Sequence, residues 1–296
     1  MSSEHLASAQ NELKGNLGGA WNILDGAQGQ YQDLGIARRF GGSAAAYSLR
    51  DIGAMNGKVV RVRRSSGTPA EEDFSASQVL SGAVEAFVGS GNDGFVTTLY
   101  DQSGNGNDVT QTTTGSQPKL VDSGSQVKVD GIPSIKFDGT DDFLERATYT
   151  QGDLSQPSTA FAVGKLRVYV DDNQKIFDGH TGLKRNMIQL NTAGNGQFAA
   201  YAGTVRATGE DADANQHLFE SRFNGSASRF IIDGVIKSTN SQGTQAMEGI
   251  NIGANHDSAS NFWDGDIQEI IIYNSDLFDD RADLENDINN YYTIYS

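Results

Sequence analysis

The stretch Gly94–Gln111, GFVTTLYDQSGNGNDVTQ, changes character at its middle, and that change sets the reading of the chain. Phe95, Val96, Leu99 and Tyr100 supply the aromatic and branched apolar residues of a strand. Asp101 to Asp108 then carry no apolar side chain. Gly104 and Gly106 permit a positive φ, and Asn105 and Asn107 tolerate it. A strand ending in such a loop turns tightly and presents amides and carboxylates, which suit sugar hydroxyls or a hard cation such as calcium. The same groups also bond readily to their own backbone, and spacing alone favours that plainer reading.

Working outward, the preceding segment Ser75 to Phe87 places Val79, Leu80, Ala83, Val84 and Phe87 at helical spacing, with a serine to cap it and Gly89 to stop it. Lys58 to Arg63 alternates charge with Val60 and Val62, as a half-buried strand does. From Gln117 onward short strands follow one another between Gly, Asn and Asp. They are Ser134 to Phe137, Thr159 to Leu166, Lys175 to Phe177, Met187 to Leu190, Gln197 to Tyr201, His217 to Phe223, Arg229 to Ile232, Ile250 to Ile252 and Ile267 to Tyr273. Asp233-Gly234 between FII and VIK signals a hairpin. Asp279 to Tyr292 aligns Leu284, Ile288, Tyr291 and Tyr292 on one helical stripe. The pattern predicts an all-β antiparallel sandwich with a short internal helix and a C-terminal helix.

Composition narrows the function classes. The 296 residues carry no Cys and a formal charge of −16, with a pI near 4.5. Such a surface releases no phosphate counterions, so no nucleic-acid partner is expected. No apolar run is long enough to span a bilayer, so no membrane insertion is expected either. MSSEHLASAQNELKGN has no apolar core of signal-peptide type. A short polar helix over residues 1 to 20, with Leu6, Leu13 and Leu17 along one side, would suit docking onto a partner or a second copy. His5, His180, His217 and His256 have no ligand-type spacing, which disfavours zinc.

YDQSGNGND, Tyr100 to Asp108, resembles the YDQSGNGN signature of the arabinofuranosidase B catalytic domain. It also resembles bacteriophage virion proteins, in which the signature follows AYSLR and RVRRSS. Ala46–Arg50 and Arg61–Ser66 stand here in that order. FDGTDDFL, Phe137 to Leu144, and the tail from Gly265 resemble laminin-G-like domains. These resemblances imply a concanavalin A-like lectin/glucanase sandwich, a jelly roll, over 46–296; residues 1–45 carry no such resemblance and are expected to form an N-terminal anchor or assembly segment. No cofactor is expected, and the laminin-G-like resemblance leaves room for calcium at a rim, with Asp101, Asp141 and Asp142 as candidate ligands.

Hydrolysis of a glycosidic bond needs two carboxyl groups across a cleft. In the arabinofuranosidase pattern the nucleophile follows a Phe-Asp pair, which KIFDGHTG, Lys175 to Gly182, supplies without the glutamate. The family's acid corresponds to Asp257 in INIGANHD. Asp264 and Asp266 share a strand face, while period two puts Glu269 on the other, as a buried acid paired with an arginine. The expectation drawn is a non-enzymatic virion structural protein, a capsid decoration, knob or tail fibre, made in the host cytoplasm and assembled as a homo-oligomer. Its partners would be other virion proteins through the N-terminal segment and a host-surface glycan. No catalytic residue is assigned. Tyr100, Asp101, Asn105, Asn107, Asp257 and Trp263 are the carbohydrate-binding candidates. The alternative is a glycoside hydrolase of arabinofuranosidase type.

Overall fold

The computed structural model describes residues 35–53, 57–68, 70–169, 173–191 and 196–296. The expected terminal helix over 1 to 20 and its docking surface lie outside the described residues. The strands follow in chain order as β1 (Ala45–Ser48), β2 (Val60–Arg64), β3 (Glu71–Phe74), β4 (Gly94–Leu99), β5 (Val109–Thr110), β6 (Lys119–Asp122) and β7 (Ser125–Gln126). Next come β8 (Lys128–Val129), β9 (Ile132–Pro133), β10 (Ile135–Asp138), β11 (Leu144–Arg146), β12 (Ser158–Leu166), β13 (Lys175–Asp178) and β14 (Met187–Asn191). The chain continues through β15 (Gln197–Tyr201), β16 (Val205–Ala207), β17 (Gln216–Phe223), β18 (Arg229–Ile232), β19 (Val235–Ser238), β20 (Ile250–Ile252) and β21 (Asp264–Tyr273). The helices are α1 (Gly35–Arg38), α2 (Ala76–Leu80), α3 (Ala83–Val88) and α4 (Arg281–Tyr292).

Two antiparallel layers result. The first runs β19-β18-β17-β12-β21, with β1 and β10 end to end along the other edge of β21. The second runs β3-β2-β4-β5-β11-β20-β13-β14-β15-β16. β6 pairs with both β10 and β4 and joins the layers into a nearly closed sandwich. The all-β expectation holds.

Ala160, Ala162, Ile270 and Ile272 of the first layer meet Val96, Phe177, Ile188 and Ile252 of the second in the main core. Phe161, Val163, Ile271 and Tyr273 point the other way, into a second core closed by Leu284, Ile288 and Tyr292 of α4. Burial on both faces is why β12 and β21 read as nearly unbroken apolar runs instead of alternating. Each isoleucine so buried contributes about 1.5–3 kcal/mol. Ile36 and Ala37 belong to the same outer core, and the compact body extends over Ile36–Ser296.

Three local differences from expectation have physical causes. The helix expected over Ser75 to Phe87 is two helices, because Gly82 takes φ 81° and starts a new turn. Ser75 and Gln78 form the capping box of the first. The strand β3, EEDF, is rich in residues that disfavour strands, but Asp73 lies opposite Arg61 and Glu71 opposite Arg63. In β21, Val163 faces Glu269 while Gly164 faces Ile267, so Gln268 is a bulge residue. The bulge resets the period and returns Glu269 to the face of Asp264 and Asp266, correcting the period-two placement.

Glu269, 1% exposed, does pair with an arginine. Arg50 at the end of β1 donates Nε to Oε2 at 2.7 Å and Nη2 to Oε1 at 2.9 Å. Its Nη1 reaches Asp287 of α4 at 2.9 Å. Arg50→Ala leaves a carboxylate buried without its partner, so a loss of about 3–5 kcal/mol is expected in urea unfolding. The Arg50→Ala/Glu269→Leu double variant is expected to recover a large part of that loss.

Candidate functional site

Residues facing each other across neighbouring strands share a sheet face. On the second layer the register therefore defines one polar row, Asp73, Arg61, Thr98, Thr110, Glu145, Asn251 and Asp178, crossing β3, β2, β4, β5, β11, β20 and β13 on the outer side. Their chain neighbours Val60, Val62, Leu144, Ile250, Ile252 and Phe177 point into the core.

At the β13 end the row is covered and organised. Asp178 is fully buried and accepts Nε of Arg185 at 3.0 Å, a second bond from Arg185 Nη2, and the amide of His256 at 3.0 Å. Burial pushes its carboxyl up while Arg185 pulls it back. Arg185 Nη2 also donates to Asn255 Oδ1 at 2.6 Å, and its guanidinium sits 5.6 Å from the Tyr201 ring centre. Beside it opens a cleft of about 320 Å³, lined among others by Lys175, Arg185, Gln189, Asn191, Tyr201 and Asn255. Among the described residues lining this cleft none is a carboxylate. It offers amides, two cations and one aromatic ring, a set that suits a polyhydroxylated ligand.

Carboxylates stand near the covered end of the row. Glu145 accepts Ser258 Oγ at 2.9 Å, and the same hydroxyl accepts Asn251 Nδ2 at 2.9 Å. His180 Nδ1 lies 2.9 Å from Asn251 Oδ1 and 3.7 Å from Glu145. Asp257, next to Ser258, is exposed and accepts the amide of Ala259 at 3.1 Å.

The other candidates are placed differently. In the Tyr100–Asp108 loop the polar groups turn inward. Asp101 accepts the amides of Ala46, Ser103 and Asn107, each at 2.9 Å. Asn105 Nδ2 donates to the carbonyls of Ser43 and Ala44, and Asn107, fully buried, donates to Ala44 O at 2.9 Å. Tyr100 donates its hydroxyl to Asp73 at 2.7 Å, and burial with that bond pushes its pKa up to about 12. Trp263 is fully buried in the core and presents no face for a sugar ring. The loop is a clamp on β1, and of the candidates Tyr100 and Asp257 stand beside the polar row, at its opposite ends. Arg185, Asn255 and Glu145 were not singled out from the sequence. Only the Phe-Asp pair of KIFDGHTG, which contains Asp178, pointed to this part of the chain.

Asp138, Asp141 and Asp142 converge into a cluster that could hold a cation, whereas Asp101 is engaged in its own loop. Asp142 is 5% exposed, and burial together with Asp138 and Asp141 raises its pKa to about 7.

No family model and no curated protein matches the chain. Solved structures do. An arabinofuranosidase complexed with arabinofuranosyl-α-1,2-xylobiose shares the fold at a TM-score of 0.64 and 16% identity, over 83% of this chain and 62% of that one. A GH54 α-L-arabinofuranosidase soaked with a cyclic sulfate inhibitor gives a TM-score of 0.65 with the same identity and coverage. The chain thus spans 62% of the length of these neighbours. At this identity the likeness establishes the fold. The expectation of a non-enzymatic virion structural protein is overturned by the same finding, because these structural neighbours are arabinofuranosidases.

Asp142 yields a pH prediction. Its folded pKa is raised, so its contribution to stability is fully present below the ordinary carboxylate range and is lost as pH rises toward 7. Asp142→Asn is therefore expected to be the more stable protein at about pH 8, by up to a few kcal/mol, with the advantage vanishing near about pH 4. Thermal unfolding of both proteins across that range checks it.

Proposed function

We propose that the chain is a carbohydrate-active protein of glycoside hydrolase type, directed at arabinose-type saccharides, with its recognition cleft around Arg185. The observation that carries this reading is the coincidence of the shared fold with an amide-rich cleft on the outer face of the second sheet. The sugar ring would sit against Arg185, Gln189, Asn191 and Asn255. Cleavage adds water across the glycosidic bond: one carboxyl protonates the departing oxygen while the other takes a proton from the attacking water. We assign these roles to Glu145, which accepts the Ser258 hydroxyl, and to Asp257, the chain neighbour of Ser258. Asp178 is a positioning residue, because both of its oxygens are engaged and none of it meets solvent.

Release of nitrophenol from 4-nitrophenyl α-L-arabinofuranoside is the expected readout. Glu145→Gln and Asp257→Asn should each lower turnover by at least about 10²-fold. Binding of arabinosides without any turnover would sink hydrolysis and leave recognition standing. Calcium is proposed for Asp138, Asp141 and Asp142, with Asp138 in the place of Asp101 among the candidate ligands. Added Ca²⁺ is expected to raise the unfolding temperature above neutral pH, and Asp142→Asn to abolish that rise.

A further inference from the structure

A second and larger cleft, about 520 Å³, lies on the same outer face at the opposite end of the polar row. Arg61, Tyr100, Thr98, Thr110, Gln111 and Thr112 are among the side chains that line it. Three of them, Arg61, Thr98 and Thr110, are consecutive members of the cross-strand row. The row continues from Thr110 to Glu145, and beyond that under the loop carrying Asn255 and Ser258 to Asp178. Five strand spacings separate Arg61 from Asp178, about 24 Å.

We propose that this cleft holds the further sugar residues of a neutral oligosaccharide or polysaccharide whose terminal residue occupies the Arg185 cleft. The ligand would cross the strands and pass over His180 and Glu145. This inference deepens the proposed function and rests on it. The hydroxyl and amide lining can donate to or accept from sugar hydroxyls without selecting a charge. Arg61 is already paired with Glu71 at 2.8 Å and with Asp73 at 3.3 Å, so it acts as an oriented donor and not as a bare cation. The chain-wide charge of −16 works against an anionic polymer. Asp108 is in the same lining, and its Oδ1 accepts the amide of Asp101 at 2.8 Å.

The test is calorimetric titration of the intact protein with a ladder of neutral oligosaccharides bearing a terminal arabinose, from the monosaccharide upward. Affinity is expected to climb with length by at least about tenfold. Thr110→Trp, which fills the cleft between Thr98 and Glu145, is expected to remove that gain. The ladder on the unaltered protein decides the matter even if this variant folds poorly. Affinity that is measurable but flat with length overturns the second cleft and leaves the Arg185 cleft intact. Absence of binding at every length overturns the recognition cleft itself, and this inference with it.

Discussion

One guanidinium ties the C-terminal helix of this protein to its first layer. Arg50 leaves the end of β1, pairs with Glu269 on the outer face of β21, reaches Asp287 on α4, and lies 4.8 Å from the ring centre of Tyr291. Tyr292 completes the arrangement by donating its hydroxyl to Glu269 at 3.2 Å. Glu269 needs all of this, because an ionised carboxylate 1% exposed costs several kcal/mol unless paired and hydrogen-bonded. It can meet Arg50 only because the bulge at Gln268 turns it outward. Without the bulge the same residue would face the apolar core between the sheets. The bulge and the ion pair are thus mutually dependent, and α4 is seated by both.

The motif at Tyr100–Asp108 serves the same end from the other side. Gln102, 1% exposed, donates Nε2 to the carbonyls of Ser48 and Arg50 and accepts the amide of Ile52. Asp101 takes the amide of Ala46. The loop thereby fixes the backbone that launches Arg50. This gives a physical reason for AYSLR and YDQSGNGND to occur together: one is the strand and the other its clamp. A sequence shows that such a loop is rich in amides and carboxylates, and it does not show which way they point.

That limit separates what was legible from what was not. Strands built on period two or on long apolar runs, such as Gln197–Tyr201, Arg229–Ile232 and Ile250–Ile252, were readable to the residue. So was the Asp233-Gly234 turn, whose two residues both take positive φ. The EEDF strand was not, because its partners Arg61 and Arg63 are supplied by pairing and not by local propensity. The bulge that redirects Glu269 leaves no mark in the string of residues. The candidate site is harder still. Glu145, Asn251 and Asp178 are neighbours only through the register of β11, β20 and β13, three segments far apart in the chain.

The pairing of Asp178 with Arg185 explains how so acidic a chain can present a cleft free of carboxylates among its described residues. The carboxylate is placed behind the arginine and away from solvent, so it contributes charge but no exposed oxygen. It neutralises Arg185 and fixes its plane, and the outer guanidinium edge is then held against Asn255. A bare arginine would attract any anion, whereas a neutralised one with a fixed fork favours ligands that match its geometry. Under the proposed function, sugar hydroxyls placed beside Gln189 and Asn191 would be such ligands. Burying the pair costs desolvation that an apolar pair would avoid, and its retention at the edge of the cleft fits a role in orienting Arg185 more than a role in holding the sheet together.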